Sequence, residues 1–287
     1  MDVKNILVIG AGTMGHGIAQ VAAQSGYQAA LYDVDPALVA AGLSKARANL
    51  EKGVEKGKVT AAERDAALAR LSAASDLKSA AGSADLVVEA VPERMDLKRK
   101  IFFELSSACP KHAVLASNTS SLSIAEIAAA TTRPERVVGM HFFNPVHLKP
   151  LLEVVRTDKT AAEALDAVVA VGKRMGKTVV VVKDSPGFAT SRLGIALGLE
   201  AMRMVEEGVA SPEDIDTAME KGYGHAMGPL RTTDLVGLDV RLGIAEHLDR
   251  CFPGGRFHPP ALLRKMVAEG RLGQKSGRGF YDWAKTS

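Results

Sequence analysis

His141 and Glu153 are the side chains of this 287-residue chain whose type and setting best suit the movement of a proton. His141 follows the short β-branched run Arg136 to Met140, which reads as a buried strand ending at the histidine. It precedes Asn144-Pro145, where regular structure must stop, because proline restricts the residue before it and has no N–H. Ligands of open α/β sheets lie just outside the carboxyl ends of the strands, so a histidine at such an end faces a crevice. A lone histidine is more often structural than catalytic, and its neighbours decide the matter. Glu153 lies within Leu151-Leu152-Glu153-Val154-Val155. A carboxylate among apolar residues is costly to bury without a cationic or hydrogen-bonding partner, and His141 is the nearest candidate. An imidazole, with an ordinary pKa near ~6.5, exchanges a proton readily at neutral pH. A carboxylate behind it would fix its tautomer and stabilise the imidazolium. Such a pair suits the removal of a hydroxyl proton while a carbonyl forms.

The chain that must position this pair begins with Asn5 to Ile9, an apolar strand of the type buried on both faces. Gly10-Ala11-Gly12-Thr13-Met14-Gly15 follows directly and opens an apolar helix, Met14 to Gln24, that ends at Gly26. In that context the G-x-G-x-x-G spacing reads as a dinucleotide-binding turn. Gly10 permits the bend, Gly12 admits a pyrophosphate, Gly15 lets helix and strand approach, and the helix N-terminus supplies N–H groups. A second strand, Gln28 to Tyr32, delivers Asp33 where it could accept from both hydroxyls of an adenosine ribose. Val34 follows it and no arginine is adjacent, which favours NAD over NADP. The plainer alternative is a glycine turn with a capping aspartate.

Two helical stretches from Pro36 to about Leu71 interrupt the strand rhythm and read as a protruding hairpin joined at Gly53 to Lys58. Lys52 and Lys56 lie one turn apart on one face, either a solvated surface or, with Lys58, a phosphate clamp. Strands at Asp85 to Ala90 and Ala113 to Ala116 resume the sheet around a helix from Leu97 to Ser107. The hydroxyl-rich run Ser117-Asn118-Thr119-Ser120-Ser121 then leads to a helix at Ile124 to Ala130, capped by Ser121 or Ser123. Leu151 to Val155, a helix at Ala161 to Met175 and a strand at Thr178 to Val182 close the sheet. Beyond Asp184-Ser185-Pro186-Gly187 only helices are predicted, near 189 to 207, 212 to 221, 237 to 250 and 260 to 269. The expected architecture is α/β: a Rossmann-type, mostly parallel sheet with an inserted helical hairpin over residues 1–184, then an all-helical domain over 185–287.

Composition agrees with an ordinary globular protein, 47% hydrophobic and large enough for two cores. A net charge of +3, with no basic block interleaved with aromatics, argues against nucleic acid. No apolar run approaches the ~20 residues needed to span a bilayer, and the N-terminus begins a strand, so a cytoplasmic protein without membrane attachment is expected. Cys109 and Cys251 lack metal-ligand spacing and read as reduced thiols, and no metal site is predicted.

GAGTMGHGIAQ, SNTSSL, GMHFFNP, LLEVV, DSPGF, EDIDTAM, MGP and GQKSGRGFYDW span nearly the whole chain, and together they resemble the L-3-hydroxyacyl-CoA dehydrogenase family. The resemblance implies an NAD-binding domain, an acyl-CoA substrate and a homodimer formed largely by the helical domain. It implies catalytic roles for Ser120, His141 and Glu153. The cofactor would meet Gly10, Gly12, Thr13, Met14, Gly15, Asp33, Glu93, Lys98 and Asn118. The substrate would meet Ser120, Asn144 and Ser191, with Lys52 and Lys56 on the CoA phosphates. Two positions depart from the pattern: Ser191 replaces an asparagine that contacts the substrate, and Arg231 follows Met227-Gly228-Pro229-Leu230 where an acid or apolar residue is usual. Both bear on acyl preference. Two rival readings are a dehydrogenase of a free hydroxy acid, against which the hairpin lysines argue, and an NADH-binding sensor without turnover, against which His141 with Glu153 argues.

Overall fold

The apolar runs of the first part of the chain become one eight-stranded sheet in the computed structural model, which describes residues 1–284. Its strands are β1 (Asn5–Ile9), β2 (Gln28–Tyr32), β3 (Leu71–Ala73), β4 (Leu86–Glu89), β5 (Val114–Ser117), β6 (Val137–Phe142), β7 (Leu151–Arg156) and β8 (Thr178–Lys183). They lie in the order β3-β2-β1-β4-β5-β6-β7-β8. Neighbours are parallel except β6 and β7, which pair antiparallel. Strands β4, β5 and β6 are buried along their whole length, which is why they read as unbroken apolar runs instead of alternating ones. The chain leaves β1 toward β2 and returns on its other side as β4. The crevice between the carboxyl ends of β1 and β4 is therefore the topological switch point, where open α/β sheets bind ligands.

Helices α1 (Gly15–Gln24), α2 (Pro36–Glu55), α3 (Ala61–Arg70), α4 (Leu77–Gly82), α5 (Met95–Ala108), α6 (Ile124–Ala128) and α7 (Ala162–Arg174) belong to the same unit, which runs to Ser185. The hairpin is α2 with α3. Asp35 caps α2 by accepting from the Ala37 N–H, and Thr60 with Glu63 forms a reciprocal capping box on α3. Ser123, not Ser121, caps α6 by accepting from the Glu126 N–H. The second unit begins at Pro186 and contains α8 (Thr190–Glu206), α9 (Pro212–Thr217), α10 (Pro229–Val236), α11 (Leu238–Cys251) and α12 (Ala261–Ala268) around a core of its own. Among the described residues this unit has no strand, only two isolated bridges in its tail. No helix of the described residues is long and apolar enough to cross a membrane.

Among strands and α-helices, the structure adds three elements to those predicted. β3 is three residues long with a single large apolar side chain, too short to show a period, and pairs with β2. α4 is a six-residue helix capped by Asp76. α10 starts at Pro229, which occupies the first helical position, where a missing N–H costs nothing, so the proline opens a helix and does not merely end a loop. Cys109 is buried, and burial pushes its thiol up to about 11 against the opposing pull of Arg133. Cys251 is exposed on α11 and is not bonded to Cys109.

Candidate active site

At the carboxyl end of β1 the chain turns at Gly10 with a φ of +96°, where a side chain would come 2.6 Å from the Ala90 carbonyl oxygen. A side chain on Gly15 would overlap the Gly10 carbonyl. Both positions therefore demand glycine for the protein's own packing. Gly12 differs: a Cβ there would meet nothing within 4 Å, so its missing side chain keeps open space in front of the turn. Asp33, at the end of β2, accepts from the Ala11 N–H at 2.8 Å and from the Asp35 N–H at 3.2 Å, which fixes its carboxylate beside the turn. A cavity of about 690 Å³ opens here, lined by Gly10, Gly12, Thr13, Met14 and Asp33 on one side and by apolar residues including Leu38, Leu97 and Ile101 on another. Open space before the turn, a fixed carboxylate and apolar walls for a flat base together fit NAD.

A second cavity, of about 370 Å³, shares Met14, Ala90 and Val91 with the first and is completed by Glu93, Asn118, Ser120 and residues 141 to 144. His141 is the fifth residue of β6, inside the strand instead of just beyond it, because the ladder with β7 continues to Phe142. In that antiparallel register His141 lies directly opposite Glu153, and its Nδ1 is 2.8 Å from Glu153 Oε2. Glu153 is 0% exposed and His141 7%. The Phe143 ring packs against the imidazole with centroids 4.4 Å apart. Asn118 accepts from the Phe142 N–H at 2.9 Å and so ties the end of β5 to the end of β6.

The hydroxyl-rich loop after β5 is organised by Glu93. One of its oxygens accepts from the Thr119 hydroxyl, from the Ser120 N–H at 3.0 Å and from the Ser120 hydroxyl at 3.4 Å. Its other oxygen is 3.4 Å from the Lys98 ammonium. Lys98 is 1% exposed and points into the protein, donating to Glu89 Oε1 at 2.6 Å and to the Val91 carbonyl at 3.3 Å. Glu89, 0% exposed, also accepts from the Ser117 hydroxyl and the Val91 N–H, each at 2.7 Å. Glu89 was not among the predicted residues. Its setting, Leu-Val-Val-Glu-Ala-Val, carries the same signal that singled out Glu153: an acid inside an apolar run.

The remaining predicted residues lie elsewhere. Lys52 is in the last turn of α2 and Lys56 at its C-cap, both exposed. Ser191 belongs to the second unit as the second residue of α8, whose N-cap position is Ala189, so Ser191 is not the cap. Arg231 stacks its guanidinium on the Tyr281 ring at 4.4 Å within the same unit. Cation–π stacking against the chain's own tail accounts for that departure in sequence.

Comparison with known proteins places these features. The model for the 3-hydroxyacyl-CoA dehydrogenase NAD binding domain matches residues 5–185, and that for the C-terminal domain matches residues 187–283. A probable 3-hydroxybutyryl-CoA dehydrogenase of Bacillus subtilis is 48% identical across 100% of both chains. The 3-hydroxyadipyl-CoA dehydrogenase of Escherichia coli is 42% identical over 99% of this chain and 60% of its own. The crystal structure of (S)-3-hydroxybutyryl-CoA dehydrogenase from Ralstonia eutropha has a TM-score of 0.95 at 39% identity and covers 99% of this chain and 100% of that one. Two matched domains that account for nearly every residue, and full-length relatives well above chance identity, make this chain a member of the 3-hydroxyacyl-CoA dehydrogenase family, an NAD-dependent oxidoreductase.

Proposed function

We propose that the protein interconverts (S)-3-hydroxyacyl-CoA and 3-ketoacyl-CoA with NAD(H), 3-hydroxybutyryl-CoA foremost, and that His141 is its general acid/base. The 2.8 Å contact between His141 Nδ1 and the buried Glu153 carboxylate, at the wall of the smaller cavity, carries the reading. With Nδ1 turned to the carboxylate, the opposite ring nitrogen, Nε2, meets the substrate hydroxyl and takes its proton as the carbonyl forms. Glu153 holds that tautomer and stabilises the imidazolium, and in the reverse direction Nε2 returns the proton. The Ser120 hydroxyl turns from Glu93 to donate to the reacting oxygen, while Glu93 keeps its hold on the Ser120 N–H. NAD, when bound, accepts the hydride.

Substrate binding remote from the reacting carbon positions it. Lys52 and Lys56, exposed on the hairpin, take the CoA phosphates, while Asn144, at the wall of the smaller cavity, meets the acyl group. Residues 1–184 serve the cofactor and residues 185–287 the substrate and a homodimer contact, in a cytoplasmic enzyme. NADH consumption with a panel of 3-ketoacyl-CoA chain lengths beside the free 3-keto acids tests the reading. Turnover should be highest with acetoacetyl-CoA and negligible with free acids; equal rates with free acids would overturn it.

A further inference from the structure

Beside the cavity that holds His141 lies a charge cluster, buried at Glu89 and Lys98 and reaching the cavity wall at Glu93, in which Glu89 and Lys98 take no part in the proton chemistry. An ammonium has three donors, and those of Lys98 have three acceptors inside the protein: Glu89 Oε1, Glu93 Oε2 and the Val91 carbonyl. Lys98 therefore reaches a bound cofactor only through the residues it holds. Two carboxylates against one ammonium leave the cluster with one negative charge. With Glu89 at 0% and Lys98 at 1% exposure, water screens its inner part poorly. Glu89 directly precedes Ala90 and Val91, which line both cavities, and it accepts from the Val91 N–H.

Hydride transfer at the carbon whose oxygen meets His141 requires the nicotinamide ring in the smaller cavity, beside Glu93. That ring carries a positive charge when oxidised and none when reduced. We infer that Glu89, held by Lys98 and Ser117, is a tuning residue whose charge makes the site favour NAD⁺ over NADH more strongly than a neutral cluster would. The inference rests on placing the reacting ring in the His141 cavity.

Equilibrium titration calorimetry of NAD⁺ and NADH with the whole enzyme, with no turnover involved, tests it in wild type, Glu89→Gln, Glu93→Gln and the double variant Glu89→Gln/Lys98→Met. Each single change neutralises the cluster and should raise Kd(NAD⁺)/Kd(NADH) about tenfold, the scale of one charge acting across about ten ångströms of protein. For a two-electron couple that is about 30 mV in the potential of the bound cofactor. The double variant restores one negative charge through Glu93, so its ratio should return to within about twofold of wild type even though it has lost the most hydrogen bonds. A purely structural role predicts the opposite ranking. An unchanged ratio in both single variants, or a double variant displaced as far as Glu89→Gln, overturns the inference. Glu93 is half-exposed, so Glu93→Gln keeps the test alive if circular dichroism shows Glu89→Gln unfolded. Retained turnover in His141→Gln would instead mean that the cavity is misassigned; with that variant inactive and the ratios unmoved, the charge inference alone falls.

Discussion

Two glutamates, Glu153 on β7 and Glu89 on β4, are each 0% exposed, and each faces a basic partner across a short contact. Their surroundings separate their uses. Glu153 meets an imidazole that lines a cavity, and the proposed function has this pair exchange a proton with a ligand there. Glu89 meets an ammonium that has three acceptors and accepts from Ser117 and Val91 as well, so every partner of Glu89 itself is internal to the protein. An open pair can do chemistry; a closed pair contributes position and a fixed charge. A buried ion pair is in itself weak evidence of stabilisation, but removing one partner leaves an uncompensated charge.

The largest effect that would break this contrast is at His141. His141→Gln should lower kcat by about 10³-fold or more, within the scale of lost acid/base catalysis, while NADH affinity stays near wild type. Substantial residual turnover would place the base elsewhere. Lys98→Met comes next and should act on the fold: stranding Glu89 costs about 3 kcal/mol, read as a drop of roughly 6–12 °C in melting temperature. If that variant melted like wild type, the closed network would not be structural at all.

Glu153→Gln discriminates further because it keeps shape and removes charge. We expect kcat to fall about 10²-fold, the lower end of the range for acid/base catalysis, with a smaller change in melting temperature than Lys98→Met shows. Equal damage to stability from both substitutions would erase the distinction between open and closed pairs. The smallest expected effect is that of Ser117→Ala, which removes one hydrogen bond to Glu89 and should cost about 1–2 kcal/mol in chemical denaturation, with kcat within about twofold of wild type.

The parts of this architecture legible in the sequence are those whose cause is local. Gly10, Gly12 and Gly15 are spaced by the needs of one turn, and Asp33 ends the next strand, so the cofactor crevice could be read from a single βαβ segment. The His141–Glu153 contact was legible because an acid in an apolar run needs a partner and His141, at a strand end, was a candidate for it. Glu89 shows where that logic stops. It sends the same signal and Lys98 is only nine residues away, but Lys98 lies on α5 where its spacing reads as surface, and the other contact, Ser117, comes from β5, 28 residues on. Lys98 itself is spaced like a surface lysine on an amphipathic helix, and only the tertiary structure turns it inward. β3 escaped because its pairing with β2 defines it more than its composition does, and α10 because Pro229 stops one element and starts another with equal ease.

The reversal of β7 against β6 has a consequence for heredity. In a sheet parallel throughout, two residues facing each other across neighbouring strands are separated by an entire crossover. Here the strand turns straight back, and His141 and the Glu153 that faces it stand only twelve residues apart in the chain. A crossover between related genes therefore seldom falls between them. Recombination can exchange the hairpin, the helical unit or the cofactor turn while the pair passes from parent to offspring as one block.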